Sequence, residues 1–489
     1  MLKSKLIDIL KSFSYREINR FSEFLNSPFH NKNKKAVILF NILSQFHPDY
    51  NSKKLTKEYI FKLIYSDNKE NPEYNDASLR NLFSDLLILS EKFLAYLNFE
   101  KRKFQFSEKL LVELAERKLP ALFDKNLKSA EDLYIKSSFH DEEDYLNKFV
   151  LEELKSSSSQ FFDNLKFYKS DHILKASDYL TYFYLIRIFK MINFLEFQKQ
   201  YNIKSEITIA EIIINEINAN DVLNKVKEKS ERDYQILSVY FSMFYSLKNP
   251  DNDSYYFEFK NNLTKYDFLF PPLEQYGLYV CLTNCCIQKI DRGRYNFHAE
   301  CFKVYKIILE KKLFDSYPGF FSMTTFTAIV KTGIESGEYE EVEKFTFEYS
   351  GKLNPLHKND ALNYSKALIS FNRKQFSKTL EYVSLTNVEF TNFKYHLKII
   401  MLKSLFELSD YETLYYIADS FAHFLSKNKM VSENYKAAFS NFIKSLDLLV
   451  KYKCEKDKKY LDKLNIFISE KSFAGKKWII DKLNELNPC

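Results

Sequence analysis

The first glycine in this chain is Gly277, and only seven occur in 489 residues, against about 7% in an average globular protein. Glycine reaches positive φ without steric cost. Tight β-hairpins and phosphate-cradling loops both depend on that freedom, so this chain is poorly equipped for either. Its glycine positions exclude a Walker loop, a dinucleotide fingerprint and a nucleophile elbow, and no HExxH is present. Proline, the other helix breaker, occurs ten times, while 47 Phe and 35 Tyr supply apolar mass. With 45% hydrophobic and 28% charged residues, the chain has enough to bury for a folded state. The expectation is an all-α protein.

Charge is uneven. The net charge is +4 over residues 1–50, −5 over 51–350 and +8 over 351–489. Basic ends attract nucleic acid, acidic partners or anionic lipid, and they also serve solubility. The six cysteines, Cys281, Cys285, Cys286, Cys301, Cys454 and Cys489, crowd mostly into one hairpin-sized segment. That pattern fits reduced thiols and a cytoplasmic location rather than a disulfide framework. Met1 to Lys11 interrupts its apolar residues with charge and reads as an amphipathic helix, with no signal-peptide apolar core. The longest uncharged run, Ser316 to Val330, has 15 residues, short of the roughly 18 that suggest a membrane span.

Ser14 and Glu17 form a capping-box pattern that starts a second helix, which ends before Pro28. Helical patterns follow over 34–46 and 56–65, then a polar break from Ser66 to Asp76. From Ala77, Leu79, Leu82, Phe83, Leu86, Leu87, Leu89, Phe93 and Leu94 keep a 3.6-residue period. Residues 1–155 are expected to form an N-terminal helical module. The serine run 156–159 marks the boundary, either as a joint or as the polar end of a helix. From residue 160 to 489 helices of 12–20 residues alternate with short breaks at Pro271, Gly293, Pro318, Gly337, Gly351 and Pro355.

This second region repeats. Gly337-Glu-Tyr339, Lys374-Gln-Phe376 and Ser409-Asp-Tyr411 each place an aromatic just after a polar turn, at separations of 37 and 35 residues. Ala367-x-x-x-Phe371 stands upstream of Phe376 as a small residue that lets helices approach. These features resemble tetratricopeptide repeats, whose period is about 34 residues; Val342 and Leu414 depart from that pattern, which prefers Ala there. The segments Leu25 to Lys32, Leu79 to Leu86, Tyr411 to Phe421 and Trp478 to Leu483 are similar to those of a group of uncharacterised bacterial tetratricopeptide-like proteins. The resemblance implies an α-solenoid of stacked hairpins over 160–489, with a capping helix around Trp478. It implies no activity.

Candidate chemistry is sparse. Cys281-x-x-x-Cys285 and His298-x-x-Cys301 place ligand-type residues one helical turn apart, so a hairpin turning near Gly293 could gather four around zinc. The alternative is small apolar packing residues, and no metal or cofactor is assigned. His172, His357, His396 and His423 lie on separate helices without a nucleophile nearby. Glu338, Glu340, Glu341 and Glu343 read as a solvated face. The functional expectation is therefore a non-enzymatic scaffold binding an unidentified peptide or protein in a concave groove. Aligning the repeats puts Thr327, Lys331, Glu335, Tyr364, Asn372, His396 and Lys403 on that inner face. The alternative is a nucleic-acid-associated regulator using the basic ends, with helices 56–65 and 77 onward imitating a helix-turn-helix. Its ten-residue break is longer than that motif's turn, and its second helix carries mainly Leu and Phe. Tyr452 between Lys451 and Lys453, and Tyr460 after Lys458 and Lys459, are the places where aromatics sit beside bases as a nucleobase platform requires.

Overall fold

A computed structural model describes residues 4–65, 73–135, 140–162, 170–199, 208–316, 319–387, 391–428, 433–471, 473 and 475–487. Residues 66–72 of the polar break, Pro318 and Cys489 lie outside these. The chain is all-α: 83% of the structure is helical, and among the described residues there are 24 α-helices and no strand. Among the same residues no helix is long and apolar enough to cross a membrane.

The helices are α1 (Lys5–Ser12), α2 (Tyr15–Asn26), α3 (Lys34–Ser44), α4 (Lys57–Tyr65), α5 (Asp76–Lys101), α6 (Lys103–Glu116), α7 (Pro120–Ile135) and α8 (Glu142–Phe161). They continue with α9 (Ser170–Lys199), α10 (Ile209–Asn215), α11 (Ala219–Lys229), α12 (Glu231–Lys248), α13 (Asp253–Tyr266), α14 (Pro272–Asp291), α15 (Phe297–Glu310) and α16 (Met323–Glu335). The last eight are α17 (Tyr339–Tyr349), α18 (Pro355–Asn372), α19 (Phe376–Ser384), α20 (Thr391–Glu407), α21 (Tyr411–Lys427), α22 (Glu433–Glu455), α23 (Lys458–Glu470) and α24 (Lys476–Leu486).

Packing divides the chain into two units. One comprises Met1–Lys136 with Val150–His172, the other Ser137–Phe149 with Ile173–Cys489. One core of the first unit is formed by α1–α5. The capping box of α2 is formed, with the Ser14 amide donating to Glu17 at 2.8 Å and the Glu17 amide donating to Ser14 Oγ at 3.3 Å. Helix α5 buries Leu79, Leu82, Leu86, Leu89 and Phe93 against Phe21 and Phe40, with the Phe21 and Phe93 rings 5.1 Å apart. Leu94, on the other side of its stripe, is exposed. The serine run falls in the last turns of α8. Ser157 Oγ donates to the Glu153 carbonyl and Ser158 Oγ to the Lys155 carbonyl, so this run is the polar end of a helix and not a joint.

The second unit is a succession of helical hairpins: α12 with α13, α14 with α15, α16 with α17, α18 with α19, α20 with α21 and α22 with α23. One turn recurs in four of them. Gly293, Gly337, Lys374 and Ser409 adopt φ of +89°, +84°, +59° and +56°. In each, the next amide reaches back five residues: Arg294 to Lys289, Glu338 to Gly333, Gln375 to Ser370 and Asp410 to Leu405, all at 2.9–3.0 Å. This is the left-handed C-terminal cap that satisfies a helix's last carbonyls. Tyr339, Phe376 and Tyr411 are the first residues of α17, α19 and α21. Three positions later Val342, Thr379 and Leu414 are buried between the paired helices. The first helices of consecutive hairpins also touch, α16 on α18 and α18 on α20.

Candidate functional site

The residues of interest sit on that row of first helices. Thr327 in α16 is buried and its hydroxyl donates to the Met323 carbonyl at 2.9 Å, and Tyr364 in α18 is buried as well; both are part of the packing beneath the row. Lys331 and Glu335 of α16, Asn372 of α18 and His396 and Lys403 of α20 all reach solvent to some degree.

Four of them act on one another electrostatically. Glu335 pulls the Lys403 pKa up and Lys331 pushes it down, yet burial dominates and lowers the ammonium to about 8. Burial, reinforced by the positive charges of Lys331 and Lys403, holds His396 well below its ordinary value. Both side chains are half-buried. Asp291, at the end of α14, is raised by the same desolvation and partly relieved by Lys331.

Residues outside the three aligned repeats act on this cluster. His298 in α15 is buried, its Nδ1 has no hydrogen-bond partner, and burial drops its pKa to about 4, against the pull of Glu335 and with help from Lys331 and Lys477. Burial raises the pKa of Tyr295, just before α15, and the nearby Lys477 backbone lowers it. Lys477 and Asp481 belong to α24, which packs on α22 and also on α20. There the Trp478 ring meets Phe406 edge-on at 5.4 Å, and Lys403 Nζ stands 5.5 Å from its centroid. Lys482 pairs with Glu407 at 2.8 Å. Sequence reasoning missed Asp291, Tyr295, Lys477 and Asp481 because they precede or follow the three repeats. The Gly293 turn, with the same geometry as Gly337, was the available signal upstream.

Apart from the aromatic rings beneath Lys403, the charges here have no ion-pair partner among the described residues. Among the described residues, no carboxylate lies within 4.0 Å of Lys331, Lys403 or Lys477, nor any cation that close to Asp291, Glu335 or Asp481, whereas Lys190, Lys248, Lys260 and Lys289 of the same unit are each in ion pairs. Asp291, Glu335, Lys477 and Asp481 stand exposed to water, while Lys331 and Lys403 are half-buried.

The cysteines divide into local pairs. Cys281 and Cys285 interact one turn apart, and Cys281 Sγ also lies 3.3 Å from Asn193 Oδ1. Cys286 donates to the Tyr256 hydroxyl at 3.2 Å and neighbours Cys301. All four are buried. Among the described residues no three His, Cys, Asp or Glu side chains converge in a way that would hold a metal. A buried His140 has Nδ1 on Asp144 at 2.7 Å and Nε2 on Arg232 at 3.2 Å. Both ring nitrogens are thus committed, among the described residues no hydroxyl or thiol bonds to it, and it ties the start of α8 to α12. Leu79, Leu82, Leu86 and Leu89 of α5 are core residues, and Leu94 is exposed. No family model, no curated protein and no solved structure matches this chain.

Proposed function

We propose that the second unit is a tetratricopeptide-like array whose row of first helices forms a groove for a peptide or protein partner, and that the chain works as a scaffold and not as an enzyme. The observation that carries this reading is that Lys331, Lys403 and Glu335, charges of both signs along α16 and α20, have no ion-pair partner among the described residues. The repeated αL turn supports the array, because identical turns stack successive hairpins with a constant offset. A groove lined by opposite charges selects partner and register more than it adds raw affinity.

The test is to identify proteins cross-linked to the full chain in its own cell, then to measure binding of the purified partner. Lys331→Glu with Lys403→Glu should weaken binding by about tenfold or more, the scale of losing charge-assisted contacts, while the circular dichroism melt stays in place. An unchanged affinity for the same partner contradicts the reading.

A further inference from the structure

We infer that α24 is an internal occupant of the groove, and that the external partner is an amphipathic helix of the same chemistry, an aromatic–aliphatic anchor followed one turn later by leucine, which displaces it. This rests on the groove reading above. The inference comes from where α24 lies. A helix that only closed the last hairpin would touch α22 and α23. α24 packs on α22, and beyond it seats Trp478 against Phe406 of α20 and beneath Lys403 and binds Glu407 of α20 through Lys482. Its N-terminal turn also reaches Tyr295, five hairpin helices upstream of α20. In an array where hairpins touch their neighbours, one short helix meets both regions by lying along the row of first helices.

The contact is narrow. Ile479 and Leu483 are the buried residues of α24, Trp478 and Leu486 are partly covered, and Lys477, Asp481, Asn484 and Glu485 face solvent. This one-stripe, anchor-led contact is how an amphipathic helix lies in a groove. The helix starts at Gly475, with φ +75° and no side-chain cap, where the chain passes so close to the row that a Cβ would stand 3.1 Å from Lys403 Cε. An uncapped start on a residue that turns freely suits a segment that docks and undocks.

Trp478 is the only tryptophan, so its emission reports α24 directly. The experiment uses the full chain as wild type, Lys482→Glu, and Lys482→Glu with Glu407→Lys, and a fluorescein-labelled synthetic peptide of residues 475–487. Lys482→Glu places like charges at the Glu407 contact, while the peptide brings its own lysine to Glu407. In that variant Trp478 emission should shift to the red, the amides of 479–483 should exchange about tenfold faster, and the peptide should bind about tenfold more tightly than to wild type. The double variant should return the emission and exchange toward wild type and lose the peptide. The inference is overturned if the amides of α24 in Lys482→Glu stay as protected as those of α20. It is equally overturned if α24 is released and the peptide still binds no better than a scrambled one. Lys403 itself stands over Trp478, so partner binding is also measured with Lys331→Glu alone, and the two readings fall separately.

Discussion

Lys374 and Ser409 carry the αL conformation that Gly293 and Gly337 carry in the equivalent turns. A side chain there costs roughly 1 kcal/mol or more, and this glycine-poor chain accepts that cost twice in consecutive hairpins. Lys374→Gly and Ser409→Gly should therefore each stabilise the protein by about 0.5–1 kcal/mol, net of the extra freedom glycine gains when unfolded. Urea titration checks this, and a loss of stability in both contradicts the turn assignment. His298 yields a second expectation at this scale. Its folded pKa of about 4 lies below its ordinary 6.5, so between those values the unfolded chain binds the extra proton. The stabilisation is complete above pH 6.5 and is lost as pH falls toward 4. Between pH 7 and pH 5 this removes roughly 2 kcal/mol. His396, depressed in the same direction, adds to the slope. His298→Asn should flatten part of the loss, as measured by urea midpoints at both pH values; an unchanged slope in that variant contradicts the burial of a neutral imidazole.

Elements in the second unit are paired by close approach. A Cβ on Gly333 would lie 2.3 Å from Val342 Cγ2 and 2.8 Å from Phe302 Cε2, so α16 meets α17 and α15 through its missing side chain. Gly333→Ala should cost about 1–3 kcal/mol through overpacking, despite alanine's better helix propensity. Combined with Val342→Ala it should cost less than the two single changes added together, because the cavity receives the new methyl. Additive costs in that cycle would place the strain elsewhere. Gly333 sits in the last turn of α16, where the sequence suggests only a helix end, while the contact that demands it comes from two other helices.

Across the whole molecule, the hairpins of the second unit end on α24, where Ile479 and Leu483 are buried with Phe406 and Trp478 in the C-terminal core. Deleting residues 471–489 should lower the melting midpoint by several degrees, since roughly 1 kcal/mol corresponds to a few degrees in a unit of this size. Trp478→Ala should move it less, and a deletion without effect on the melt contradicts α24 as part of that core. Sequence alone determined the class, because seven glycines and ten prolines in 489 residues leave long stretches free to be helix. It also determined the helix starts at Tyr339, Phe376 and Tyr411 and the capping box at Ser14, since caps and periods are local and are written in consecutive residues. Tertiary structure decided the rest. It divided α8 between two units, turned the cysteine quartet into separate pairs, put Thr327 and Tyr364 beneath the row that Lys331 and Lys403 line, and brought α24 to α20 and Tyr295. Each of these depends on which faces meet across large separations in sequence, and that is settled by burial and close packing summed over many helices, which no local pattern encodes.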